Sequence, residues 1–487
     1  MTRLIMVSNR VIDFNAVTQT GGVSVAIYNS LARHNGFWFG WNGQIEDCSP
    51  SKPVTTTAEG RTTVTVPLSA AEYNDYYLGY ANSVLWPVFH NRLDLAQFEA
   101  GYYARYLAVN EKFADDLAQL VAPDDTIWIH DYHLLPMARK LRRRDIENPI
   151  GFFLHIPVGP AQALLAIPEY REIAQSLSSY DLVGLQTEVD VRNLIDFLQR
   201  SVDGRLVPSG RIRLFERELE VGCFPVGIEP KDFEPSGDDL KISSDSEPIR
   251  IIGIDRLDYT KGLPQKFRAF GKFLADYPEY RRRIVLSQFA PPTRESVEAY
   301  ADITAELESL SGSINGRYGE LDWVPINYIH RPMPRKELVD VYRASRIGWV
   351  TPLMDGMNLV SKEYVAAQWP DDPGVLVLSK FAGSAAQLTE AVLVNPYDIS
   401  DMAQSLRLAL EMPREERVAR HAQLLRAVRE FDSEAWAASF IAALIKAGQR
   451  RQSETSHSVS TAKATADDQS ATSKKKAPPR VAAHIVG

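Results

Sequence analysis

Two cations five residues apart, Arg256 and Lys261, stand in the run Ile254-Asp-Arg-Leu-Asp-Tyr-Thr-Lys-Gly262, where an apolar stretch passes into a basic loop and then a helical pattern. Cations at a helix start can clamp a diphosphate and neutralise the charge that builds up as it leaves. Salt bridging to Asp255 and Asp258 is the competing use of the same residues. A second dense stretch is Val350-Thr-Pro-Leu-Met-Asp-Gly-Met-Asn-Leu-Val-Ser-Lys-Glu363. Asp355 falls in its loop and Glu363 two turns into the next helix, so one carboxylate can face a sugar hydroxyl while the other reaches a ribose. Backbone N–H groups at that helix start can support a phosphate between them. A plain aspartate turn beside a surface glutamate explains either carboxylate alone, but not the polar density of the whole stretch.

Further polar residues follow apolar runs. Asp131 comes after Thr126-Ile-Trp-Ile-His130, His155 ends Ile150-Gly-Phe-Phe-Leu-His155, and Arg294 lies between a strand and a helix in Ala290-Pro-Pro-Thr-Arg-Glu295. Asp131 is equally suited to cap the following helix, and His155 to be a satisfied core histidine. Arg10 closes Val7-Ser-Asn-Arg10, and Gly21-Gly22 opens the next helix, where a glycine pair lets backbone approach a phosphate closely; an ordinary turn competes. A Walker phosphate loop, a spaced glycine trio, a His-Glu-x-x-His pair and a Gly-x-Ser-x-Gly elbow are all missing, which argues against ATPase, dehydrogenase, metalloprotease and serine hydrolase chemistry.

These residues need strands to deliver them. Residues 4–7, 126–129, 150–154, 182–185, 249–254, 284–286, 347–350 and 375–378 are short runs rich in Ile, Val, Leu and Phe, which suit strands buried on both faces of a parallel sheet. Helical patterns lie between them at 134–144, 190–199, 263–276, 295–310 and 335–343. The alternation predicts an α/β protein with two doubly wound, Rossmann-like domains facing a central cleft. Pro225-Val-Gly-Ile-Glu-Pro230 and the polar segment behind it mark the boundary. The division is 1–229 and 230–449, with the last helix of the second part free to pack back on the first, and a disordered tail at 450–487.

The chain has 487 residues, of which 45% are hydrophobic and 24% charged, enough for two sizeable cores. A net charge of -8 offers no broad footprint for nucleic acid, so an anionic ligand must be held by a focused basic cluster. Cys48 and Cys223, far apart and without metal-ligand spacing, suggest neither a disulfide framework nor a metal site, and fit a cytoplasmic protein. No apolar run approaches a membrane span or a signal peptide. From Arg450 onward Ser, Thr, Ala and Lys dominate without any aromatic residue, a composition that cannot offset its ordering entropy. Lys474-Lys475-Lys476 there is a solvated run or a contact for an anionic partner.

Taken together, the sequence resembles the trehalose-6-phosphate synthase family, retaining glycosyltransferases of the GT-B fold. The resemblance runs almost continuously over 4–440. It is carried by Val7-Ser-Asn-Arg10, Gly21-Gly22, Tyr76-Tyr77, Leu85-Trp-Pro87, Trp128-Ile-His-Asp-Tyr-His133, Phe152-Phe-Leu-His-Ile-Pro157, Arg256 to Gly262, Asp355-Gly-Met-Asn-Leu359 and Lys362-Glu363. It implies transfer of glucose from a nucleotide sugar, usually UDP-glucose, to glucose 6-phosphate, giving trehalose 6-phosphate and UDP. It also implies that Arg10, Tyr77 and Arg294 hold the acceptor phosphate, with Trp86 and Asp131 against the acceptor sugar. Gly21, Gly22, Arg256 and Lys261 are implied at the donor diphosphate and Met333 at the base. Leu359, Val360, Ser361, Lys362 and Glu363 are implied at the rest of the nucleotide, and Asp355 and His155 at the transferred glucose. The family implies no metal, no cofactor and no enzyme nucleophile.

Two departures stand out. Val158-Gly159-Pro160 follows His-Ile-Pro where the family usually has Phe-Pro, which predicts a looser turn on the acceptor side, and Met354 stands where the family commonly has Arg. The first leaves open a related synthase with another phosphorylated acceptor, such as glycerol 3-phosphate. The enzyme reading takes two small-molecule substrates and is compatible with a homo-oligomer. A non-catalytic sugar-phosphate-binding subunit is the alternative from another class; retention of charged residues on both sides of the cleft counts against it.

Overall fold

The computed structural model describes residues 3–11, 26–28, 31, 34–46, 52–58, 60–215, 217–235, 248–294 and 297–473. Gly21, Gly22, Cys48 and the lysine run at 474–476 lie outside the described residues.

Ten strands form the first sheet, in the order β3-β4-β2-β1-β5-β6-β7-β10-β9-β8. They are β1 (Leu4–Arg10), β2 (Gly36–Ile45), β3 (Val54–Ala58), β4 (Arg61–Leu68), β5 (Thr126–His130), β6 (Ile150–Phe153), β7 (Leu182–Leu185), β8 (Arg205–Leu206), β9 (Ile212–Leu214) and β10 (Arg217–Cys223). β1 lies between β2 and β5 and runs parallel to both, with Val7 opposite Phe39 on one side and Ile129 on the other. β1, β5, β6 and β7 are the predicted strands. β2 and β4 escape the pattern because glycines interrupt the first and threonines the second, although Trp38, Phe39 and Val66 are buried as deeply as any core residue.

The second sheet is wholly parallel, in the order β13-β12-β11-β14-β15-β16. Its strands are β11 (Ile249–Ile254), β12 (Ile284–Phe289), β13 (Ile326–Ile329), β14 (Ile347–Val350), β15 (Val375–Ser379) and β16 (Val392–Val394). This is the 3-2-1-4-5-6 order of a doubly wound sheet, whose crevice opens where the order reverses between β11 and β14.

Two helices differ from expectation. The pattern at 134–144 becomes a 3-10 turn, Tyr132–Leu134, and a short α-helix, Met137–Arg142, because Pro136 between them has no N–H to continue the ladder. The pattern at 295–310 becomes Glu298–Tyr318.

The chain crosses between the sheets twice. After β10 it passes through residues 224–230, and it returns at 431–433 into the helix Ser433–Ser473. Phe440 of that helix stacks on Trp128 at 4.4 Å between ring centres. Gly151 and Gly184 make room for it, since an added Cβ would come within 2.9 and 2.6 Å of the Phe440 ring. The helix also passes the boundary placed at 450. Arg450 pairs with Glu220 at 3.0 Å, Arg451 with Asp181 at 2.6 Å, and Glu454 with Arg211 at 3.0 Å. The first residues of the expected disordered tail are therefore helical and tied to the first sheet by charge rather than by apolar burial. No described helix is long and apolar enough to cross a membrane, and the described residues contain no cluster of His, Cys, Asp and Glu able to hold a metal.

Candidate active site

The carboxyl ends of both sheets open on one cavity of about 500 Å³. On the first-sheet side, β1 delivers Arg10, whose guanidinium lies 5.7 Å from the Trp41 ring centre and has no ion-pair partner among the described residues. Tyr77 lines the cavity and stacks on His133 at 5.8 Å, 12° from parallel. Asp131 follows β5 with φ +76°, a conformation sparsely populated outside glycine and costly unless its surroundings enforce it. Here its N–H donates to the Phe153 carbonyl at 2.8 Å. Its carboxylate makes no helix cap and instead accepts the His155 N–H at 3.3 Å, which sets aside the capping role. Burial pushes the Asp131 carboxyl up to about 6. His155 follows β6 and lines the cavity with its Nε2 3.1 Å from His130 Nδ1, and burial lowers its pKa to about 3, so it is a neutral hydrogen-bonding group.

Arg294 joins the two halves. At φ +50° it leaves β12 with its guanidinium 4.3 Å from the Trp86 ring centre. Its Nη1 donates to the Tyr300 hydroxyl at 2.7 Å and stands 3.5 Å from Asp258, while Nη2 donates to the Tyr132 hydroxyl at 3.3 Å. Tyr300 in turn donates to Asp258 at 2.9 Å. Burial works to raise Asp258, but Arg294 and Arg256 outweigh it and hold the carboxyl below its usual range. The arginine is thus positioned before any ligand arrives, by residues of both domains.

On the second-sheet side, Arg256 does not form the bridges that competed for it. Asp255 accepts Lys266 at 2.8 Å instead, and Asp258 is occupied by Tyr300 and Thr260. Arg256 lies 5.6 Å from the Trp86 ring centre, with no ion-pair partner among the described residues. Lys261 is committed: its Nζ lies 2.5 Å from Asp355 Oδ2, which also accepts Asn358 Nδ2 at 3.0 Å. Burial would raise Asp355, yet Lys261 keeps it below the ordinary carboxylate range. Asn358, at φ +68°, caps the helix Leu359–Ala367 by accepting the Ser361 N–H at 3.2 Å. Leu359, Val360, Glu363 and the buried Met333 line the cavity, and Glu363 accepts the Tyr342 hydroxyl at 3.0 Å.

Two expected site residues lie elsewhere. Ser361 and Lys362 are fully buried and take no part in the lining. The Ser361 hydroxyl bonds the Asn358 carbonyl at 2.7 Å, and Lys362 Nζ donates to the Val226 carbonyl at 2.8 Å. Helical periodicity explains this, since positions between Val360 and Glu363 must face the sheet when those two face the cleft. Conversely, Tyr132, Tyr300, Asp258 and Asn358 were missed. Asn358 carried a readable signal, an Asn directly before a helical pattern; the others act through partners distant in sequence.

The glycosyltransferase family 20 model matches residues 5–446. The chain belongs to glycosyltransferase family 20. A trehalose-6-phosphate synthase of Cronobacter sakazakii is 44% identical over 450 residues, covering 91% of this chain and 94% of that one. The crystal structure of an α,α-trehalose-phosphate synthase (UDP-forming) from Burkholderia vietnamiensis superposes with a TM-score of 0.88 at 42% identity, covering 92% of this chain and 98% of that chain. A Burkholderia xenovorans counterpart in complex with glucose-6-phosphate gives 0.86 at 42%, covering 91% and 99%. The two facing doubly wound sheets are accordingly a GT-B fold.

The family 20 departures take a definite shape here. Val158 is fully buried, its N–H donating to Asp190 at 2.8 Å and its carbonyl accepting Asn193 at 2.7 Å. The turn is tightly held rather than loose, and it does not line the cavity. Met354 is outside the lining as well, with its N–H 3.4 Å from the Thr260 carbonyl. Neither departure places its own side chain in the cavity lining.

Proposed function

We propose that this family 20 cleft is a trehalose-6-phosphate synthase site divided between its two domains, in which glucose moves from UDP-glucose to the anomeric hydroxyl of glucose 6-phosphate. What supports the division is that one cavity is lined by two pairs of cations, Arg10 with Arg294 and Arg256 with Lys261, with Arg294 and Arg256 lying 4.3 and 5.6 Å from the Trp86 ring centre. In this reading Arg10, Tyr77 and Arg294 take the acceptor phosphate, and Trp86 and Asp131 the acceptor sugar. Arg256 and Lys261 take the donor diphosphate, Met333 the base, Glu363 the ribose, and Asp355 and His155 the transferred glucose.

The acceptor oxygen bonds to the donor C1 as the C1–phosphate oxygen bond breaks. The departing phosphate oxygen takes the acceptor proton on the same face, so configuration is retained. Without an enzyme nucleophile, the side chains contribute orientation and charge compensation. Asp355 and Lys261 neutralise each other, so the lysine becomes available to the diphosphate as Asp355 turns to sugar hydroxyls. Location in the cytoplasm and a possible homo-oligomer belong to the same proposal.

The test is a donor and acceptor screen on purified protein, with identification of products. Disaccharide phosphate from UDP-glucose and glucose 6-phosphate, undiminished by a strong chelator, is the expected result. Product only from another acceptor, or activity lost to chelator and restored by magnesium, refutes the corresponding part.

A further inference from the structure

Lys362, displaced from the nucleotide site by the geometry above, lies at the meeting point of the two chain crossings. Its ammonium donates to the Val226 carbonyl in the first crossing. The Val226 N–H donates to Gln186 Oε1 at 3.0 Å, and Gln186 Nε2 lies 3.5 Å from the carbonyl of His155. The second crossing packs on the first. The Ser433 N–H donates to the Ile228 carbonyl at 2.9 Å, and a Cβ on Gly227 would stand 2.1 Å from the Phe431 carbonyl, so only glycine allows the two strands of chain to touch. Burial lowers Lys362 to about 7 even though the charge of Asp432 in that second crossing favours the ammonium.

We propose that Gln186, the Val226 peptide and Lys362 form a hydrogen-bonded strut across the hinge, which sets the helix carrying Leu359, Val360 and Glu363 relative to His155. Lys362, outside the cavity lining, is thus a positioning residue for glucosyl transfer and not a nucleotide ligand, and Gln186, which borders the cavity, takes the same part through the Val226 N–H and the His155 carbonyl. The strut runs beside a second contact between the same parts, since a Cβ on Gly356 would lie 2.1 Å from the His155 carbonyl. Two independent links on one carbonyl fix both its distance and its direction. A buried amine with a single peptide acceptor is costly to maintain. Its cost is understandable where two rigid bodies must meet in one register, because transfer tolerates little misplacement of the reacting sugar.

The proposal rests on the transferase reading, and the experiment separates the two. Wild-type protein, Lys362→Met, Gln186→Met and the double variant are compared by UDP release and by calorimetric UDP binding without acceptor. Each single variant is expected to lose about tenfold in kcat while UDP affinity stays within about threefold. The double variant is expected to fall within about threefold of the worse single, because a strut cut once has little left to lose. UDP affinity weakened about tenfold by Lys362→Met would make the lysine a nucleotide ligand and overturn the proposal. Unchanged kcat or multiplicative losses would overturn it too. If Lys362→Met does not fold, Gln186→Met alone carries the same kcat-against-affinity criterion. If wild-type protein makes no disaccharide phosphate, the functional reading falls. The strut is then judged by UDP-driven hydrogen-exchange protection at 224–228, which both variants must lose.

Discussion

The two anion stations are built on opposite plans. The Arg256–Lys261 station belongs to one domain: both residues follow β11, and their carboxylate partner Asp355 follows β14 of the same sheet. The Arg294 station is assembled across the cleft, with Tyr300 and Asp258 from the second domain and Tyr132 and Trp86 from the first. Within each plan one cation is committed and one is open. Lys261 and Arg294 are hydrogen-bonded to side chains, whereas Arg10 and Arg256 lie near tryptophan rings with no ion-pair partner among the described residues. A committed cation keeps its place without ligand but must share its partner on binding. An open one meets the phosphate unopposed, and its removal breaks no direct ion pair, although Arg256 also contributes at longer range to keeping Asp258 ionised.

Substitution of the donor-side cations should expose this contrast most strongly. Arg256→Ala and Lys261→Ala should each raise the barrier by about 2–4 kcal/mol through loss of a contact that strengthens as the diphosphate departs. Lys261→Ala should lower the melting temperature more than Arg256→Ala, since it leaves Asp355 buried without its direct ion-pair partner. A donor KM effect with unchanged kcat in both variants would break the leaving-group role; equal melting temperatures would break the distinction between open and committed.

Asp131 sharpens the comparison on the acceptor side, where stability and function oppose each other. Its folded pKa is raised from 3.8 to about 6, so its favourable contribution is complete below the unfolded value and is lost as pH rises through the folded one. At pH 7–8 the ionised group opposes folding by up to about 3 kcal/mol. Asp131→Asn should therefore raise the melting temperature at pH 8, with the gain vanishing towards pH 4, while glucosyl transfer falls. A variant that is less stable at pH 8 would contradict the burial of that charge.

Arg294→Ala should weaken use of glucose 6-phosphate by about 1.5–3 kcal/mol per charged hydrogen bond lost, and leave UDP affinity, measured calorimetrically without acceptor, near wild type. It should also destabilise the empty protein, because Asp258 loses its principal cation. Abolished UDP binding with intact acceptor affinity would place the arginine on the donor side.

The smallest effect is expected far from both stations. Truncation before Arg450 removes the partly exposed pairs with Glu220 and Arg211 and the pair with buried Asp181, which keeps Arg142 at 2.9 Å; together they are expected to contribute about 1–2 kcal/mol. The melting temperature should fall slightly and kcat should not. Truncation after Ser473 should leave both unchanged. A marked loss of kcat in the first truncation would mean that the charged end of the helix bears on the cleft.

Strands buried on both faces were legible because a parallel sheet must be apolar throughout, as in 126–129 and 347–350, and the polar residue that ends each run therefore stood out. Arg10, Asp131, His155, Arg256 and Asp355 were found in this way, each at a strand's carboxyl end. β2 and β4 were not, since their glycines and threonines satisfy packing demands set by neighbours. The sequence determined by itself the α/β class and the strand ends from which the chemistry projects, both of them local consequences of apolar patterning. Tertiary structure alone decided which cations are open. Whether Arg256 pairs with Asp258 depends on Tyr300 and Arg294 reaching that carboxylate first, and whether Lys362 faces the nucleotide or the hinge depends on where Val226 crosses. Partner choice among buried charges is a competition between residues distant in sequence, settled by distance and desolvation, and neither quantity exists until the chain has folded.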